Sequence, residues 1–152
     1  MRAIGVVALL CGLAACRAKQ NEAFTALQAR GRAVMGVDQY TSAHRFEPLA
    51  DGGRIELQRQ GDDSADVAQI RQHLRGITAA FKAGQFDQPT TVHAGAVPGT
   101  GVMATRRDAI TYVYADLPRG GEVRLISKDS VAIEAIHQFL AFQRMEHHAG
   151  RQ

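Results

Sequence analysis

"HRFEPLADGGRIELQR" (residues 44–59) and "YVYADLPRGGEVRLIS" (residues 112–127) lie over one another without a gap. Phe46 falls on Tyr114, Leu49 on Leu117, Gly52-Gly53 on Gly120-Gly121, Ile55 on Val123 and Leu57 on Leu125. In both stretches apolar and polar residues alternate, the period of a strand with one wet and one dry face. The glycine pair in the middle of each reads as a turn between two strands. Two residues of slippage later, "IRQHL" (70–74) falls on "IHQFL" (136–140). Each half therefore reads as a hairpin followed by a helix, and the two halves read as an internal duplication.

Helical spacing places Val67, Ile70, Leu74, Ile77 and Phe81 on one face of a helix from Ser64 to Lys82. Asp62, Asp63 or Ser64 supplies its cap, and Gly84 ends it. A second helix is predicted from Ser130 to His147, with Ile133, Ile136, Phe139 and Leu140 inward. A third, from Glu22 to Met35, carries Phe24, Leu27, Gly31, Val34 and Met35 on one face and stops at Gly36. The expected fold class is α+β: two ββα units forming a four-stranded antiparallel sheet with helices on one face, plus an N-terminal helix. The repeat-like halves span about 44–82 and 112–147.

The start of the chain sets its address. Met1-Arg2 is followed by an apolar run from Ala3 to Leu10 and small residues at 12–15, the pattern of a secretory signal peptide. The run is shorter than the roughly 20 residues a spanning helix needs. Leu13-Ala14-Ala15-Cys16 resembles the lipobox of bacterial lipoproteins, which implies removal of residues 1–15 and acylation of Cys16 as the new N-terminus. Residues 16–21 then form a lipidated tether, and 22–152 a single domain. Arg17 after the cysteine implies the outer membrane, with the domain facing the periplasm. Cys11, the other of two cysteines, falls in the removed segment, so the domain folds without a disulfide. The expected partners are the membrane, through the lipid anchor, and an envelope protein. Nucleic acid is not expected: the formal charge is only +3, and Arg106-Arg107 is an isolated pair.

Between the halves, "FDQPTTVHAGAVPGTGVMATRRD" (86–108) interrupts the repeat and reads as a flexible connection rich in glycine. Gly99-Thr100-Gly101 is a fragment of a phosphate loop without the following Lys-Ser/Thr, so no nucleotide site follows. "IRQHLRGITAAFKAGQFDQP", "VHAGAVPG" and "AIHQFLAFQRMEHHAG" together are similar to a family of small secreted bacterial proteins, over about residues 40–150. Members of that family often carry the label aspartate carbamoyltransferase. The phosphate-binding S-T-R-T-R of that enzyme has no counterpart here, the nearest text being Ala104-Thr105-Arg106-Arg107-Asp108. The resemblance thus implies a small exported protein and brings no activity with it.

Histidine and methionine carry what chemistry the sequence offers. His44, His73, His93, His137, His147 and His148, with Met103 and Met145, stand in an exported chain without free thiols, and imidazole with thioether suits copper. His44 and His93, helped by His137 or Met103, are the candidate metal ligands. His73 and His137 also read as structural imidazoles on helices, and the 147–148 pair as a cationic helix end. No catalytic residue is expected: there is no G-x-S-x-G elbow, and the acids at 62, 63 and 66 are explained by capping. Two functions follow as expectations. One is an envelope lipoprotein with a structural or protein-interaction role; the alternative is a periplasm-facing lipoprotein that binds copper through histidine.

Overall fold

The computed structural model describes residues 4–36 and 41–147, with side chains from residue 19 onward. The side chains of Cys11 and Cys16, and all of His148, lie outside that set. In chain order the elements are α1 (Ile4–Met35), β1 (Ser42–Leu49), β2 (Gly52–Arg59), α2 (Ser64–Lys82), α3 (Asp87–His93), α4 (Thr100–Thr105), a 3₁₀ turn (Arg107–Ala109), β3 (Ile110–Leu117), β4 (Gly120–Ser127) and α5 (Ser130–Glu146). The strands form one antiparallel sheet in the order β1-β2-β4-β3, and the class is α+β as the alternation predicted.

The two halves are related by a pseudo-twofold axis through the middle of the sheet. Where β2 meets β4, Ile55 pairs with Val123, its own counterpart in the other half. On either side of that pair the hydrogen bonds repeat: Arg59 N–H donates to Arg119 O and Ser127 N–H to Asp51 O, each at 2.8 Å. The helix caps repeat as well. Asp63 accepts from the backbone N–H groups of Ala65 and Asp66, and Asp129 accepts from those of Val131 and Ala132. The helices are exchanged across this axis. α2 lies mainly over β3 and β4, while α5 lies over β1 and β2, so each hairpin is covered chiefly by the other half's helix.

The core follows from the two periodicities. Ile55, Leu57, Val123 and Leu125 point inward from the central strands, and Ile70, Leu74, Ile136 and Leu140 meet them from the helices. The outer sheet face is polar. Arg54 pairs with Glu47 and, at 3.5 Å, with Glu122; Arg124 reaches Asp51 at 3.0 Å.

Four expectations are corrected. The glycine pairs are not the turns: Ala50-Asp51 and Pro118-Arg119 are, and the glycines open the second strand of each hairpin. Their bareness serves close approach, since a Cβ on Gly52 would lie 2.2 Å from Leu125 O and one on Gly120 would lie 2.0 Å from Leu57 O. Residues 86–108 are not a flexible connection but α3, α4 and the 3₁₀ turn, clamped by Phe86, Val97 and Met103 in the core. Gly99, at φ +80°, lies so close to α5 that a Cβ would stand 2.1 Å from Ala135 O. α1 begins before Glu22, because nothing between Arg17 and Glu22 breaks a helix. Ile133 is only half-buried, and Ala132 and Ala135 take its place against the sheet.

Candidate functional site: a cavity lined by imidazoles

Over the β1–β2 hairpin, between α1, α2, α3 and the end of α5, lies a cavity of about 70 Å³. Its walls are mostly hydrocarbon, with Phe46, Leu57, Phe81 and Val92 among them, but four of the five described histidines reach it: His44 from β1, His73 from α2, His93 at the end of α3, and His147 at the C-cap of α5. Met35, the last residue of α1, brings a thioether to the same space. On one measure of space, a water needs roughly 10–15 Å³, so an ion with a few waters fits.

The rings stand close together. The centroid of His147 lies 5.1 Å from that of His44 and 5.2 Å from that of His93. His93, 2 % exposed at the side chain, shares a 2.9 Å hydrogen bond between its Nε2 and Gln143 Oε1, and its Nδ1 lies 3.9 Å from a Glu146 carboxylate oxygen at the rim. His93 Nδ1 and Gln88 Oε1 are buried at the cavity wall and have no hydrogen-bond partner among the described residues. Such groups are uncommon in folded proteins, and Arg54 Nε, Arg59 Nε and Tyr112 Oη, away from the cavity, are others.

His44, His73 and His93 are held neutral. Burial, and then the charge of His73, push His44 down to about 4; burial alone takes His73 to about 4. In His93 burial outweighs the Gln143 hydrogen bond and the Glu146 carboxylate, and the value is again lowered. A neutral imidazole keeps one nitrogen lone pair free to bind a proton, a donor or a metal.

The pseudo-twofold axis shows what the cavity replaces. The counterparts of His44, His73, Gln143 and His147 are Tyr112, Phe139, Ile77 and Phe81. Those residues pack ring on ring: Phe81 lies 6.1 Å from Tyr112 and 5.8 Å from Phe139, with Phe86 wedged 4.5 Å from Phe81, and Tyr112 Oη is buried there without a hydrogen-bond partner among the described residues. The imidazoles and the rings that stand at their equivalent positions border one cavity, whose wall also includes Ile77, Phe81 and Phe139. Packing alone does not call for imidazole there.

Of the residues expected as ligands, His44 and His93 share the cavity, while His137 and Met103 lie elsewhere. His137 Nε2–H donates to Leu49 O at 2.9 Å, and its counterpart Arg71 donates to Leu117 O, the counterpart of Leu49, at 2.7 Å. Both tie a helix to the end of a strand. Met103, 0 % exposed, fills the core under α4. His73, His147, Met35, Gln88 and Gln143 were not among the expected ligands. The signal for three of them lay in the repeat itself, where a polar side chain stands in one half and Phe or Ile in the other. Among the described residues no three His, Cys, Asp or Glu side chains are arranged to grip one ion together. No family model, curated protein or solved structure matches the chain.

Proposed function

We propose that this chain is an envelope lipoprotein, acylated at Cys16 and facing the periplasm from the outer membrane, whose domain binds a transition-metal ion in the imidazole cavity. The observation that carries the reading is the broken symmetry. On one side of the axis Tyr112 and Phe139 meet Phe81, while the equivalent positions hold His44, His73 and His147, and the inserted α3 adds His93 to the cavity they line. Metal–nitrogen bonds of about 2.0–2.1 Å bring two imidazole centroids on one tetrahedral ion to roughly 5 Å. The His44–His147 and His93–His147 spacings, 5.1 and 5.2 Å, are of that size.

The test is a titration of the domain from residue 17 onward with copper and zinc, beside a variant carrying His44→Tyr, His73→Phe, Gln143→Ile and His147→Phe. Copying the aromatic side of the axis keeps the packing, so the variant is expected to fold and to lose the ion. Equal binding by the two proteins would remove the cavity from the function. For the anchor, radiolabelled palmitate is expected on the full chain and not on Cys16→Ser.

A further inference from the structure

We infer that the ion is monovalent and soft, cuprous copper, held by His44 and His147 with the thioether of Met35 as third ligand. The inference rests on the metal-binding reading and specifies its substrate. The first observation is charge. Among the described residues the cavity wall contains no Asp, Glu, Lys or Arg. The cost of moving an ion out of water rises with the square of its charge, so a dication costs about four times as much as a monocation in the same hydrocarbon walls. Zinc and cupric ions are commonly offset by thiolate or carboxylate ligands. Here the carboxylate at the rim, Glu146, is 39 % exposed and 3.9 Å from a histidine nitrogen. The Arg30 guanidinium, whose Nε donates to Val92 O at 2.7 Å, opposes that carboxylate at His93, so the rim supplies no net negative charge to offset a dication.

The second observation is ligand type. Met35 is 8 % exposed and lines the cavity with the histidines. Thioether sulfur is a soft, uncharged ligand that favours cuprous copper over zinc, and neutral imidazole accepts either. The third is ligand number. The described residues hold no group of three His, Cys, Asp or Glu around one point. A full zinc site wants about four ligands; a d¹⁰ monocation settles for two imidazoles and a sulfur. His44, His147 and Met35 line the one cavity together.

The experiment uses the full processed lipoprotein in detergent, titrated without oxygen with cuprous copper against bicinchoninate, and in parallel with zinc and cupric ions. One cuprous ion per chain is expected, bound about a hundredfold more tightly than zinc. Met35→Leu, a volume-conserving change, is expected to weaken cuprous binding about tenfold, to leave zinc binding unmoved, and to remove a sulfur scatterer from the copper-edge absorption spectrum. Circular dichroism of the same sample checks that this variant is folded. Zinc or cupric binding as tight as cuprous, or a Met35→Leu protein with unchanged affinity and spectrum, would overturn the inference and leave a metal site standing. No binding of any ion would remove both.

Discussion

A methyl group on Gly52 would sit 2.2 Å from Leu125 O, on a backbone at φ +135°, whereas one on Gly76 would meet nothing within 4 Å. Gly52→Ala is therefore expected to destabilise the fold by about 2 kcal/mol or more, through overpacking and backbone strain. Gly76→Ala, at an open position inside α2, should stabilise it by about 0.5–1 kcal/mol. Urea midpoints of the two variants check both signs. The histidines predict a pH dependence. His44 and His73 titrate near 4 in the fold against 6.5 in the open chain. The unfolded chain thus binds more protons between those values. The contribution of these two groups to stability is complete above about pH 6.5 and falls on acidification toward pH 4, by about 1.4 kcal/mol per unit for each of the two. The His44→Tyr, His73→Phe double variant should lose most of that slope in pH-dependent melts. These residues also mark the limit of reading from sequence. His44 and His93 could be singled out by type, but His73 on a helix face looks the same whether a cavity or a packed neighbour lies beneath it. Only the paths of α1 and α3 decide that.

At the level of elements, the paired caps allow an internal comparison. Asp63→Ala removes two backbone hydrogen bonds from the start of α2 and should cost about 1 kcal/mol. Asp129→Ala removes the same pair from α5 and also the ion pair with Arg106, so its cost should be the larger of the two in thermal melts. The bounds of α2, Ser64 to Lys82, were readable because cap, stripe and stop agree with one another. The hairpins were readable from their alternation, though the glycines misled as to the turn: a bare Cα serves a neighbouring strand as well as a bend. Residues 86–108 were not readable as structure. α3 and α4 are too short for periodicity to show, and they are held by Phe86, Val97 and Met103 reaching a core assembled from the rest of the chain.

For the whole molecule, the exchanged helices forbid either half from folding alone. A hairpin without the other half's helix leaves its dry face open. Phe81→Ala, in the first half, should therefore speed hydrogen exchange in β3 and β4 of the second half at least as much as in β1 and β2. Exchange followed residue by residue by nuclear magnetic resonance tests this, and an effect confined to the first half would refute it. The self-facing pair Ile55–Val123 has a further consequence. Two identical copies of the half-chain could meet about the same axis as a homodimer, each residue near the axis opposite itself. Such a dimer would have to carry nitrogen at both of its equivalent hollows or at neither. Joining the copies end to end frees them to diverge, so that nitrogen-bearing rings stand on one side of the axis at places whose mates across it carry Phe, Tyr or Ile.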